Sequence, residues 1–76
     1  AHVLRRMGRL SEAAAAARRA VTLDPGHAPA HAAVGHVLVQ QREEVAALAA
    51  FERALTLAPH LADAHTGRGE ALAAMG

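Results

Sequence analysis

The chain contains no cysteine, lysine, tryptophan or tyrosine, and it has a single phenylalanine, Phe51. Without cysteine, neither a disulfide nor a thiolate zinc site can stabilise the fold. Ser11 is the only serine, and no glycine-rich loop is present that could hold a phosphate. The residue types that commonly act as nucleophiles and general acids are therefore nearly absent. We expect a segment that is not an enzyme and that needs no cofactor.

The chain also lacks a strong excess of one charge. Eight arginines face seven acidic residues, which gives a net charge of +1, and the basic residues form no dense block. This balance does not predict a nucleic-acid partner, although the sequence pI of about 9.4 leaves a helical nucleic-acid binder as a weak alternative.

Long apolar runs are missing as well. No uninterrupted apolar run approaches the roughly 20 residues that a membrane-spanning helix needs. The charged pair Arg5 and Arg6 interrupts the first residues, which is not typical of a signal peptide. We therefore expect no membrane partner. The sequence leaves the location in the cell unknown, with the cytoplasm favoured.

A repeat is the clearest feature that the sequence does have. Pro25 and Pro59 are 34 positions apart, and the same offset joins further identical residues: Ala13 and Ala47, Ala20 and Ala54, Thr22 and Thr56, Leu23 and Leu57, His31 and His65, Gly35 and Gly69. A fixed period of this length marks an architecture of stacked helical repeats.

Turn signals divide the repeats into helices. Proline cannot continue a helix interior, and glycine suits the residue just past a helix end. We place turns at residues 7–9, 23–26, 41–43 and 57–60, which predicts five helices near residues 1–7, 11–23, 28–41, 44–57 and 62–75. Ser11 is the predicted N-cap of the second helix, while Pro29 and Asp63 suit the first turns of the third and fifth helices.

Apolar spacing predicts how the helices pack. Residues at helical intervals form one stripe on the helix near 28–41 and another on the helix near 44–57. Gly35 and Ala47 are both small, so we expect them to face each other where these two helices cross. A leucine at either position is expected to cost about 1–3 kcal/mol.

These residues resemble the tetratricopeptide repeat. In the most complete unit, residues 28–61, the family's positions are filled by Gly35, Ala47, Phe51, Ala54 and Pro59. The resemblance covers essentially the whole chain and implies an all-α fold, a right-handed solenoid of antiparallel helix pairs. It divides the chain into a partial repeat at 1–27, a complete repeat at 28–61 and a partial repeat at 62–76, which we interpret as a fragment of a longer chain. The alanine-rich helices and the use of arginine as the only basic residue besides histidine favour a bacterial gene.

Several residues depart from the family pattern. His31 and His65 replace a large aromatic residue, Arg42 replaces the glycine between the two helices, and Glu44 replaces another aromatic. Arg68 occupies a site that is normally aliphatic. Because an unpaired charge is costly in a core, we expect the Arg68 guanidinium to reach solvent or an acidic partner.

The resemblance also implies a binding surface. In this family the first helices of successive repeats line a concave groove that binds peptide segments or partner proteins. The matching residues of this chain are His2, Arg5, Arg6, Pro29, Ala32, Ala33, His36, Val39, Gln40, Asp63, Thr66, Glu70 and Ala73. Arg5 and Arg6 would favour acidic partner groups at one end, whereas Asp63 and Glu70 would repel them at the other. The lysines and asparagine with which some members bind a C-terminal carboxylate are absent.

Other functions of the same scaffold stay open at the level of sequence. The segment could form a non-catalytic arm of a larger enzyme, such as a glycosyltransferase or sulfotransferase, or it could self-associate through exposed repeat ends. His27 and His31 are four residues apart, a spacing that can bind a metal on a helix, but no carboxylate is placed to complete the ligands, and we predict no metal site.

Overall fold

The described part of the chain forms a linear array of four helices. The computed structural model describes the backbone of residues 2–76 and the side chains of residues 8–76. The helices are α1 (His2–Leu23), α2 (Ala28–Gln40), α3 (Glu44–Leu57) and α4 (Ala62–Met75), and the described residues contain no strand. The all-α prediction is confirmed, and the bounds of the last three helices agree with the predicted ones to within one residue.

The predicted turn at residues 7–9 is wrong, because α1 runs through it as one helix of 22 residues. This stretch contains no proline, and a single glycine inside a helix costs only about 1 kcal/mol relative to alanine. Gly8 does not have a positive φ. Ser11 consequently lies inside α1 and does not cap a helix, so that prediction is wrong as well.

The turn between α2 and α3 closes without glycine or proline. Arg42 has a φ of 63°, in the left-handed region that glycine occupies most easily. Its N–H donates to the carbonyl of Val39 (3.0 Å), and the N–H of Glu43 donates to the carbonyl of Leu38 (2.9 Å). These two bonds form a Schellman motif, which satisfies carbonyls at the end of α2. Arginine therefore fills the position that the family gives to glycine and retains the glycine conformation.

The helices pack along the chain in order, each against the next, and α2 also contacts α4. Pro29 lies in the first turn of α2 and Asp63 in the first turn of α4, as predicted. Arg68 is exposed to solvent, which confirms the expectation for its side chain.

The core is built from small residues around one ring. Among the side chains that the structure describes, the buried hydrophobic residues are alanines together with Leu38 and Phe51, and Phe51 is the only large one that is fully buried. A Cβ atom built on Gly35 would lie 2.7 Å from the Phe51 ring, and one built on Gly67 would lie 2.2 Å from it. The ring is thus held between α2 and α4. Phe51 is therefore the residue of α3 that lies nearest to a side chain at Gly35, while the expected approach of Gly35 and Ala47 stays a prediction.

Gly8 and Arg42 occupy the same position in successive repeats, and substitutions there should have predictable effects. Gly8→Ala should stabilise the protein by about 1 kcal/mol, because Gly8 is helical and an added Cβ meets nothing within 4 Å. Arg42→Gly should also stabilise it, by about 1 kcal/mol, because glycine adopts positive φ without strain. Urea unfolding measures both values. A destabilising Gly8→Ala would show that residue 8 forms a turn.

The two glycines of α4 should respond oppositely to alanine. Gly67→Ala should destabilise the protein by about 1–3 kcal/mol, because the new methyl group overlaps the Phe51 ring. Gly69→Ala, two residues away in the same helix, meets nothing within 4 Å and should stabilise the protein by up to about 1 kcal/mol. Thermal unfolding of both variants tests the packing, and equal effects would argue against it.

Candidate functional site

The array has an inner and an outer side. Within the part of the chain that is described, α2 and α4 touch each other, whereas α1 and α3 do not. A row of helices is concave on the side where alternate helices approach most closely. The face formed by α2 and α4, called the inner face below, is therefore the concave side.

Most of the predicted groove residues in the described part are accessible on α2 and α4. Pro29, Ala33, Gln40, Asp63, Thr66, Glu70 and Ala73 are exposed, and His36 and Val39 are partly exposed. Ala32 is an exception, since only 1% of its surface is exposed. It belongs to the buried cluster that includes Ala64 and Ala71 of α4, so the contact between the two helices removes it from the accessible surface.

Three of the predicted groove residues, His2, Arg5 and Arg6, have side chains outside the described residues. The structure therefore describes only the acidic end of the expected charge gradient along the groove. That end consists of Asp63 and Glu70, which are both exposed on α4.

His36 joins the core to the inner face. Its ring meets the Phe51 ring edge to face, with the centroids 5.0 Å apart and the planes at 77°. This arrangement is favourable for aromatic pairs and fixes the imidazole on the surface of the core. His36 Nε2 lies 4.0 Å from Asp63 Oδ2, so the imidazole of α2 and the carboxylate of α4 meet at the seam between the helices.

The two histidines in the family's aromatic position hold the turns between repeats. The Nε2–H of His31 donates to the carbonyl oxygen of Pro25 (2.8 Å), and His65 makes the same bond to Pro59 (2.7 Å). Each bond ties the first helix of a repeat to the turn that precedes it. The sequence places both histidines where the family has a large aromatic residue, and the hydrogen bonds add a role that spacing alone did not indicate.

Other kinds of site have little support in the described residues. No three histidine, aspartate or glutamate side chains there come close enough together to hold a metal ion. His27 precedes α2, and the Nε2 atom of His31 is bonded to the Pro25 carbonyl. None of the described helices combines the length and the hydropathy that crossing a membrane requires.

The inner face and the repeated helix pairs together define a helical-repeat scaffold. A family model described as tetratricopeptide repeat matches residues 1–27 and 28–61. The chain belongs to the tetratricopeptide repeat family. Repeats of this family generally mediate protein–protein interaction and are typically non-catalytic. No curated protein and no solved structure matches the chain significantly.

The hydrogen bonds of His31 and His65 predict their tautomers. A carbonyl oxygen can only accept, so each uncharged imidazole must carry its proton on Nε2. Long-range ¹H–¹⁵N NMR spectra should show the Nε2–H form for both rings. The exposed turn residues His27 and His60 serve as controls and should show mixed tautomers. A predominant Nδ1–H form at His31 or His65 would contradict the bonds.

Proposed function

We propose that this segment is a non-catalytic scaffold that binds a peptide segment of a partner protein on the inner face. The observation that carries the proposal is the accessibility of this face along both α2 and α4, while the residues behind it form the core. Family membership supports a protein partner in general terms.

The composition of the inner face suits such a partner. It offers small, partly apolar contacts from Pro29, Ala33 and Val39, beside polar groups from Gln40 and Thr66. Small side chains let a peptide backbone approach closely, and the polar groups can satisfy its N–H and C=O groups. The only described nucleophile of the serine or cysteine type, Ser11, lies within α1.

A matched pair of threonines tests the location of binding. Thr66 is exposed on the inner face, and Thr56 is exposed on α3, on the opposite side of that helix from Phe51. Peptides are first selected from a displayed random library with the unmodified chain. Thr66→Trp should then weaken binding of the selected peptides about tenfold or more, because the indole covers the face, whereas Thr56→Trp should leave binding unchanged.

Circular dichroism must show that both tryptophan variants keep their helices. Sedimentation at the concentration of the binding assay separates peptide binding from self-association. If Thr66→Trp binds the selected peptides as well as the unmodified chain does, the inner face is not the binding surface.

A further inference from the structure

We propose that the inner face selects a basic partner, namely an extended segment with two positively charged side chains that pair with Asp63 and Glu70. This inference rests on the proposed function, because it specifies the chemistry of the peptide that the inner face binds.

The two helices of the inner face differ in charge. The α2 sequence from Ala28 to Gln40 contains no aspartate, glutamate, arginine or lysine. The charged residues of α4 are Asp63, Arg68 and Glu70. Arg68 lies five residues after Asp63, and therefore about 140° around the helix, away from the side that the two acids share. The described inner face accordingly presents negative charge only.

The Asp63 carboxylate is accessible to a ligand. The Asp63 side chain is 78% exposed, and its contact with His36, at 4.0 Å, is longer than a hydrogen bond. The carboxylate can therefore accept hydrogen bonds from a ligand cation. His36 is 35% exposed and is held by the Phe51 ring, so it provides a fixed wall beside this carboxylate.

The spacing of the acids specifies the ligand. Asp63 and Glu70 are seven residues apart on one side of α4, a separation of about 10 Å along the axis. A polyproline II segment rises about 3.1 Å per residue and repeats every three residues, so side chains three apart point the same way about 9 Å from each other. We therefore expect two arginines or lysines separated by two residues, and an acidic C-terminal segment should be repelled.

Three probes test the charge requirement. The first is a short, fluorescently labelled, proline-rich peptide with arginines at positions i and i+3, so that two residues separate them. The second replaces both arginines by citrulline, which keeps the shape and removes the charge, and the third replaces them by glutamate. The arginine peptide should bind best, the citrulline peptide about fivefold or more weakly, and the glutamate peptide weakest. Among the three peptides, the arginine peptide should lose the most affinity when salt is added, because salt screens ion pairs.

Variants of the chain locate the effect. Asp63→Asn and Glu70→Gln should each weaken binding of the arginine peptide about two- to fivefold, as expected for exposed ion pairs. Both should leave binding of the citrulline peptide unchanged. Glu52→Gln is the control, because Glu52 is exposed on α3 and lies outside the inner face.

The same measurements separate an error in the charge inference from an error in the proposed function. Suppose that Thr66→Trp weakens peptide binding, but that the chain binds the arginine and citrulline peptides equally well, or that Asp63→Asn and Glu70→Gln leave the affinity for the arginine peptide unchanged. The charge inference is then overturned, and the inner face is still the binding surface. If Thr66→Trp has no effect on any bound peptide, both are overturned.

Discussion

The position of the Phe51 ring is the constraint on which the rest of the structure depends. Of the side chains in residues 8–76 it is the only large one that is fully buried, and Gly35 and Gly67 face it from two different helices. Truncating a buried phenylalanine typically costs about 3–5 kcal/mol, a large share of the roughly 5–15 kcal/mol that stabilises a typical domain. Because the other buried residues are mostly alanines, no neighbour can replace this ring as the link between α2, α3 and α4.

The same ring determines the geometry of the inner face. Gly35 and Gly67 allow both α2 and α4 to approach the ring closely, and the two helices also touch each other. The His36 ring packs against the Phe51 ring, and the Asp63 carboxylate of α4 lies 4.0 Å from the imidazole. The proximity of a histidine and a carboxylate across the seam is thus a consequence of core packing, so a change that moves Phe51 also alters the surface that a ligand meets.

The 34-residue period and its turn residues predicted most of the helix bounds. Pro25 and Pro59 fix two of the turns, because proline cannot continue a helix interior in any tertiary context. The residues of the inner face were chosen from the family register, and His36 and Thr66 are accessible there, while their part in binding stays a prediction. The role of Gly67 was not predicted, since it depends on which helix of the next repeat meets Phe51. The burial of Ala32 escaped prediction for the same reason, because a contact between α2 and α4 has no signature within either helix alone.

Gly8 and Arg42 show that tertiary packing and not local preference decides where this chain turns. Glycine at residue 8 could adopt the left-handed conformation at no cost, yet α1 continues through it as a helix. Arginine at residue 42 pays about 1–2 kcal/mol for that conformation and adopts it nevertheless. The difference lies in what the turn brings together. Ala47 and Ala54, which follow Arg42, are fully buried, whereas the equivalent Ala13 and Ala20 of α1 are exposed. Burial against α2 and α4 offsets the strain at Arg42, and no comparable burial among the described side chains favours a turn at Gly8.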